Sequence, residues 1–225
     1  MNKKGFIFDL DGVIVDTAHF HFFAWKKTAK ELGFDLTLEL NEKLKGVSRI
    51  GSLQKILDWA NISISQEQFD HLTSDKNEDY LNHVKRMSKN DILPGVHNFI
   101  LELKKQNYPI ALGSASKNAK NILERVELLG LFDVIVDGNE VSKAKPDPEV
   151  FLKGAQQLNV EPGHCVVFED SLAGIQAANI AGMLSIGIGK KEILSEANYV
   201  FSDFTEISIE FIDKLFKDES RLYNT

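Results

Sequence analysis

Short apolar runs recur along the chain and alternate with stretches of helical periodicity. The runs are typical of buried strands and lie at Phe6–Phe8, Ile110–Leu112, Val134–Val136, Val166–Phe168, Leu184–Ile188 and Tyr199–Phe201. Helical patterns lie at Asn118–Leu129, Pro148–Leu158, Leu172–Ala181 and Ile207–Phe216. Strands that alternate with helices of this length predict βαβ units. The predicted fold class is therefore α/β, with a parallel sheet.

The segment from residue 17 to residue 91 breaks this alternation, because it shows only helical periodicity. Its candidate helices are Phe20–Leu32, Leu38–Lys45, Ser52–Ala60 and Gln66–Met87. Ser65, just before the last of them, is predicted to be a helix N-cap. The segment is too long for one crossover helix, since helices average about 11–12 residues. We therefore predict an all-helical cap domain at 17–91, inserted into a core domain formed by 1–16 and 92–225.

Composition narrows the range of partners. The chain has 225 residues, a formal net charge of −7 and a pI near 5.4, which argues against binding to nucleic acid or to an anionic membrane. Its one cysteine, Cys165, lies in an apolar run and is expected to be buried as a small hydrophobic residue. No targeting or membrane-spanning pattern is visible, and we expect a cytoplasmic monomer.

Two carboxylates follow the first apolar run directly. Asp9 and Asp11 stand two residues apart, and Gly12 allows the backbone to turn sharply after them. In open parallel sheets, ligands bind at the carboxyl ends of the strands. Acidic residues next to glycine are also common in plain turns. This pattern alone therefore leaves a turn and a catalytic site as alternatives.

Three further strand ends carry polar side chains. The small, polar stretch that contains Ser114 opens a helix, where exposed N–H groups favour a phosphate, although an ordinary serine cap is the alternative. Lys145, in a loop after another strand, would neutralise a phosphoryl group. Glu169 and Asp170 end a further apolar run and are suitable ligands for Mg²⁺.

Parallel strands would bring these four groups to one edge of the sheet. A carboxylate that attacks a phosphate monoester meets a repulsion of about 4 kcal/mol at a separation of about 4 Å and an effective dielectric constant near 20. A cation must offset that repulsion. Mg²⁺ on Asp9 and Asp170, with Glu169 as an optional third ligand and Lys145 beside it, would supply the charge.

The four motifs resemble those of the haloacid dehalogenase-like phosphotransferases, and the resemblance covers essentially the whole chain. It implies a Rossmann-like core, a helical cap, Mg²⁺ and a phospho-aspartate intermediate. It also implies that Asp9 is the nucleophile and that Asp11 is the general acid/base, with a backbone carbonyl that helps bind the metal. Ser114 and Lys145 complete the catalytic set.

The cap is similar to that of one branch of this family, the β-phosphoglucomutases, through Leu44–Arg49, Ser52–Leu57, Thr17–Trp25 and Lys76-Asn77. These enzymes interconvert β-D-glucose 1-phosphate and D-glucose 6-phosphate through β-glucose 1,6-bisphosphate, which, like other phosphate donors, acts as an activator. The resemblance implies that small sugar phosphates are bound by His21, Trp25, Lys45, Gly46, Val47, Ser48, Arg49, Ser52, Lys76, Ala115, Ser116, Lys117 and Asn118. For Trp25, a place in the core of the cap is favoured over a contact with sugar.

A mutase must hold two phosphates, one at Asp9 and one that does not react. Arg49 offers a bidentate fork for the second group, which Lys117 and its neighbours would complete from the core. His21 and Lys76 would, by resemblance, position Asp11 and couple it to closure of the cap, which excludes water.

Two other functions remain as alternatives. One is a Mg²⁺-dependent sugar-phosphate phosphatase of the same family, which needs only one phosphate site. The other is a non-enzymatic binding module, against which the complete set of Asp9, Asp11, Lys145 and Asp170 argues.

Overall fold

One parallel β-sheet forms the centre of the molecule. The computed structural model describes residues 3–212 and 214–215. The sheet in these residues has six strands in the order β3-β2-β1-β4-β5-β6, and every neighbouring pair is parallel. The strands are β1 (Gly5–Phe8), β2 (Ile110–Gly113), β3 (Val134–Val136), β4 (Cys165–Glu169), β5 (Leu184–Ile188) and β6 (Tyr199–Phe201). Each contains one of the apolar runs, so the predicted α/β class is confirmed.

Strand β1 lies at the middle of the sheet. Phe6 pairs with Ile110 of β2 on one side and with Val166 of β4 on the other. Because side chains alternate between the faces of a strand, Phe6 and Phe8 pack into one apolar layer and Ile7 into the other. The chain therefore leaves β1 at the centre of the carboxyl edge of the sheet.

Four α-helices lie between β1 and the connection at 91–93. They are α1 (Ala18–Glu31), α2 (Leu38–Glu42), α3 (Arg49–Ala60) and α4 (Gln66–Val84), and they share an apolar cluster around Trp25, Leu53 and Ile56. Ser65 forms a capping box with Gln68 at the start of α4, so the predicted N-cap is confirmed. This helical segment has its own buried core beside the sheet.

The loop between α2 and α3 begins and ends three residues earlier than the sequence pattern predicts. Helix α3 begins at Arg49 rather than at Ser52, because the Ser48 hydroxyl accepts a hydrogen bond from the Gly51 amide at 3.2 Å and caps the first turn. Helix α2 ends at Glu42 rather than at Lys45. The residues 43–48 between them run past the carboxyl edge of the sheet.

Four more helices pack against the sheet: α5 (Val96–Lys105), α6 (Ala119–Arg125), α7 (Glu149–Leu158) and α8 (Leu172–Ile180). Helix α5 was not among the predicted helices, although Val96, Phe99, Ile100 and Leu103 bury one of its faces at helical spacing. Helix α6 ends before the predicted Leu129 because Glu127 adopts a φ of +58°, which a helix cannot continue. Of the predicted helix at 207–216, residues 209–212 and 214–215 are helical, and 213 and 216 lie outside the described residues.

The two chain segments that connect the helices α1–α4 to the sheet run side by side. The amide of Asp16 donates to the carbonyl of Asp91 at 3.1 Å, and the amide of Leu93 donates to that of Ile14 at 2.9 Å. Val15 and Ile92 form an antiparallel bridge between them. This crossing coincides with the predicted border between core and cap, and the division into two domains stays a prediction.

Within the described residues, no helix combines the length and apolar character needed to cross a bilayer. Cys165 is buried, as expected.

The aromatic layer beneath the carboxyl edge gives a stability prediction. The Phe168 ring stacks on Phe8 at a centroid distance of 4.6 Å and contacts Phe99 and Phe204 at 5.4 and 5.2 Å. We expect Phe168→Ala to lower the free energy of unfolding by about 3–5 kcal/mol, because it leaves a cavity in a close-packed layer. Phe23→Ala, at a ring that is 61% exposed, is the matched control and should change it by about 0.5 kcal/mol or less. Equal effects of both substitutions in urea unfolding would contradict this assignment of the core.

Candidate active site

The central strands bring the predicted catalytic side chains together. Asp9 follows β1, Ser114 follows β2, and Glu169 ends β4, so the order β2-β1-β4 places them side by side. The Asp9 amide extends the pairing by donating to the Phe168 carbonyl at 3.0 Å. Lys145 reaches the same point from the loop between β3 and α7. The predicted meeting of four strand ends is thus observed.

Lys145 is the cation at the centre of the site. Its Nζ lies 2.6 Å from Asp9 Oδ1, 2.7 Å from Glu169 Oε2 and 3.2 Å from the Gly113 carbonyl. The side chain is 1% exposed. Burial acts to lower the pKa of Lys145, but the ion pairs with Asp9 and Glu169 outweigh it and raise the pKa above its ordinary value. Lys145 is therefore a permanent positive charge next to the proposed nucleophile.

Three carboxylates converge beside Lys145. One side-chain oxygen from each of Asp9, Glu169 and Asp170 lies within 4.8 Å of the others. Burial raises the pKa of Asp9 well above its usual range and raises that of Asp170 to about 7, although Lys145 and Lys45 respectively oppose these shifts. A buried set of hard oxygen donors with excess negative charge fits a cation such as Mg²⁺.

Gly12 lets the loop after β1 approach Asp170 closely. Its φ is +83°, and a Cβ placed there would run into the Asp170 carboxylate. Any other residue would be strained and would push this carboxylate away. The glycine of the Asp-x-Asp-Gly sequence thus shapes the carboxylate cluster as well as the turn.

Glu169 is fixed from several sides. Its Oε1 accepts hydrogen bonds from the Ser171 hydroxyl at 2.7 Å and from the amides of Ser171 and Asp170 at 3.1 and 3.2 Å. Its Oε2 accepts from Lys145. With both oxygens engaged, Glu169 orients Lys145 and the loop after β4, and its part as a direct metal ligand stays a prediction.

Asp11 faces the helical segment rather than the carboxylate cluster. Its Oδ1 accepts from the hydroxyl of Thr17 and from that of Tyr80, the latter at 3.3 Å. His21 Nε2 lies 3.6 Å from the same oxygen, which is an electrostatic contact longer than a hydrogen bond. Burial acts to raise the pKa of Asp11, but His21, Thr17 and the charge of Lys76 outweigh it and lower the pKa. The predicted metal contact of Asp11 involves its backbone carbonyl and stays a prediction.

Lys76 and His21 form a buried pair behind Asp11. Lys76 Nζ lies 2.8 Å from His21 Nδ1 and sits over the rings of Trp25 and Tyr80, at 4.8 and 4.9 Å. Burial lowers the pKa of Lys76 to about 7, and the charge of Arg49 lowers it further, against Asp11. Burial and Lys76 also lower the pKa of His21. Since an ammonium group only donates, a charged Lys76 leaves the His21 proton on Nε2, facing Asp11.

A single cavity joins the sheet edge to the helical segment. Its walls include every predicted catalytic and substrate-binding residue, together with Asp170. Arg49 and Lys117 also line it, and neither side chain forms an ion pair with a carboxylate of the described residues. The cavity therefore contains two cationic side chains without protein counter-ions, whereas Lys145 is paired with Asp9 and Glu169.

A series of hydrogen bonds orders the wall of the cavity that the core residues 114–118 form. Ser114 Oγ accepts from the Ser116 amide at 3.1 Å, and Ser116 Oγ accepts from the Asn118 amide at 3.3 Å. Asn118 Nδ2 donates to Asn77 Oδ1 of α4 at 3.1 Å. Of the predicted core-side phosphate residues, Asn118 thus contacts the helical segment directly.

The part of the chain that contains these strand ends matches a known protein family. A sequence profile of haloacid dehalogenase-like hydrolases matches residues 6–188. The chain belongs to the haloacid dehalogenase-like hydrolases.

Known members of this family are similar along most of their length. The β-phosphoglucomutase of Bacillus subtilis strain 168 is 38% identical over 211 residues, which cover 93% of this chain and 93% of that protein. A crystal structure of β-phosphoglucomutase from Clostridium difficile superposes with a TM-score of 0.92 at 41% identity and covers 96% of this chain and 98% of that one. A phosphorylated carbohydrates phosphatase of Thermotoga maritima is 32% identical over 79% of this chain and 81% of that protein.

Two contacts of this haloacid dehalogenase-like site were missed from the sequence. Thr17 and Tyr80 hold Asp11, yet neither was proposed as a site residue. Tyr80 stands four residues after Lys76, on the same face of α4, and that spacing is the signal that points to it. Thr17 is fully buried and precedes α1.

The lowered pKa of Lys76 gives a pH-dependent stability difference. An ordinary lysine keeps its proton to about pH 10, whereas folded Lys76 releases it near 7. Between these values the unfolded chain binds more protons, so the stability that Lys76 contributes rises with pH and is lowest below pH 7. We expect the free energy of unfolding of the wild type, relative to Lys76→Met, to increase between pH 7 and 10. A difference that is constant from pH 6 to 9 in urea unfolding would contradict the shift.

Proposed function

We propose that this protein interconverts β-D-glucose 1-phosphate and D-glucose 6-phosphate through phosphorylated Asp9 and β-glucose 1,6-bisphosphate. The observation that carries the proposal is the cavity itself. It holds Lys145 at the nucleophile, and it holds Arg49 and Lys117 without protein counter-ions elsewhere on its walls. A sugar with two phosphate groups would need two cationic sites, one for each phosphate. The near full-length similarity to β-phosphoglucomutases supports the same substrate.

Asp9 is proposed to be the phosphoryl acceptor. Its carboxylate would attack the phosphorus of the bisphosphate, and the bond between that phosphorus and the sugar oxygen would break. Lys145 holds one Asp9 oxygen at 2.6 Å and neutralises charge as the phosphoryl group approaches. Mg²⁺, held by Asp9, Asp170 and the backbone carbonyl of Asp11, would add the further positive charge that this transfer requires.

Asp11 is proposed to transfer the proton. Asp11 would take the proton of a sugar hydroxyl as that oxygen attacks phospho-Asp9. When a phosphoryl group returns to Asp9, Asp11 would give this proton to the sugar oxygen that leaves phosphorus. Thr17 and Tyr80 occupy Oδ1 of Asp11, which leaves Oδ2 for the sugar hydroxyl.

The helical segment at 17–91 is proposed to act as a cap that closes over this reaction. Its contacts with Asp11 come from Thr17, His21 and Tyr80, so its position sets the orientation of the acid/base. Closure would also exclude water from phospho-Asp9.

The alternative function is that of a sugar-phosphate phosphatase. It is supported by the similarity to the phosphatase of Thermotoga maritima. Release of free phosphate distinguishes a phosphatase from a mutase.

The nucleophile gives the first test of the proposal. With β-glucose 1-phosphate, Mg²⁺ and trace glucose 1,6-bisphosphate, we expect the wild type to form glucose 6-phosphate in large excess over free phosphate. Asp9→Asn and Asp9→Ala should abolish turnover while leaving the circular dichroism spectrum unchanged, since the attacking oxygen is lost. Mutase activity in Asp9→Ala would refute the assignment, and free phosphate as the main product of the wild type would favour the phosphatase.

Arg49 gives a test of the second phosphate site. We expect Arg49→Ala to reduce mutase turnover by the equivalent of roughly 1.5–3 kcal/mol, because it removes a charge-assisted contact to the non-reacting phosphate. Hydrolysis of acetyl phosphate should change little, since that donor has no second phosphate. Arg49→Lys should recover only part, because lysine lacks the planar fork. Equal losses in both reactions would make Arg49 a structural residue.

A further inference from the structure

Lys45 places a second ammonium group on the carboxylate cluster. Its Nζ lies 3.1 Å from Asp170 Oδ2 and also 3.1 Å from Glu42 Oε2. Lys45 belongs to the loop between α2 and α3, whereas Asp170 follows β4 of the sheet. This ion pair therefore joins the helical segment to the group that we propose as a metal ligand.

The backbone next to Lys45 is seated on the same part of the sheet edge. Gly46 has a φ of +71°, and a Cβ at this position would lie 2.7 Å from the Ser171 hydroxyl. Ser171 in turn donates to Glu169. The loop at 43–48 is thus held close to the carboxylate cluster by both a charge contact and close backbone packing.

The two lysines of the cluster differ in how firmly they are held. Lys145 is 1% exposed and binds two carboxylates and a carbonyl. Lys45 is 25% exposed and binds only one carboxylate of the cluster, with Glu42 as a second acceptor outside it. A divalent cation that takes Asp170 would compete with Lys45, which leaves its site more easily than Lys145 because it has fewer partners and is more exposed.

A second cavity provides the space for that movement. It borders the Lys45–Asp170 pair, because both residues line it as well as the first cavity. Its other charged residues are four acids, Asp16, Glu39, Glu42 and Asp203, and one base, Lys190. An ammonium group released from Asp170 would therefore remain among carboxylates, which lowers the cost of its displacement.

We propose that Lys45 is a removable counter-ion of the metal site, which neutralises Asp170 until a divalent cation takes that carboxylate and Lys45 keeps only its contact with Glu42. This inference rests on the proposed metal site. It assigns Lys45 a role beyond the predicted sugar contact. Because coupling between two equilibria is reciprocal, binding of the metal would loosen the loop at 43–48 from the core, and release of the loop would strengthen binding of the metal.

Calorimetric titration with Mg²⁺ in the absence of sugar phosphate tests the competition. We expect Lys45→Met to bind Mg²⁺ more tightly than the wild type, on the order of tenfold, as for the loss of one competing ion pair. Lys43→Met removes the same charge two residues away and should leave the affinity unchanged. Asp170→Asn should weaken it strongly. If Asp170→Asn has no effect, the proposed metal site fails; if it weakens binding but Lys45→Met does not strengthen it, the inference alone fails.

Hydrogen exchange tests the same inference in the unmodified protein. We expect saturating Mg²⁺ to increase amide exchange at residues 44–48 of the wild type, because the Lys45 contact is lost. Lys45→Met should exchange rapidly there with and without Mg²⁺. Exchange at 44–48 in the wild type that Mg²⁺ leaves unchanged or slows would overturn the proposal.

Discussion

The buried ion pairs of Lys145 hold the rest of the site in place. Lys145 contacts Asp9 after β1, Glu169 at the end of β4 and the carbonyl of Gly113 in β2, so one ammonium group joins three adjacent strands. Removing water from such charges is costly unless each has its partners. The aromatic layer beneath keeps water out, and the amides of Asp170 and Ser171 satisfy the remaining oxygen of Glu169. The chemistry therefore depends on strand register, because a shift of one residue would leave these charges unpaired.

Two carboxylates from one short turn are placed in opposite environments. Asp9 lies among like charges in the buried cluster, and its pKa is raised by burial. Asp11, two residues later, accepts hydrogen bonds from two hydroxyl groups and faces His21. Its pKa is lowered despite its burial. The pKa values of two chemically identical groups are thus shifted in opposite directions by their surroundings. The partners of Asp9 come from β4 and from the loop between β3 and α7, whereas those of Asp11 come from the start of α1 and from α4.

The sheet was predictable because its signal is local. Each strand is an apolar run, and parallel order follows from the helices between them, so the meeting of Asp9, Lys145 and Asp170 needed only the carboxyl-edge rule. Contacts that depend on long-range packing were not predictable. Tyr80 reaches Asp11 only because α4 packs against α1, and Lys45 reaches Asp170 only because the loop before α3 crosses the sheet edge. The end of α6 depended on one residue, Glu127, with a left-handed backbone conformation.

The paired connections at 14–16 and 91–93 have a consequence for how such a protein changes through evolution. Since Val15 and Ile92 form a bridge, the helical segment enters and leaves the sheet at one point. In the topology of the sheet, the helical segment is equivalent to a long loop whose two ends are adjacent. Such a loop can be lengthened or exchanged without a change in the order of the strands. The residues that select a substrate can then diverge while the charged groups of the strand ends stay unchanged. One scaffold is in this way open to many phosphorylated compounds.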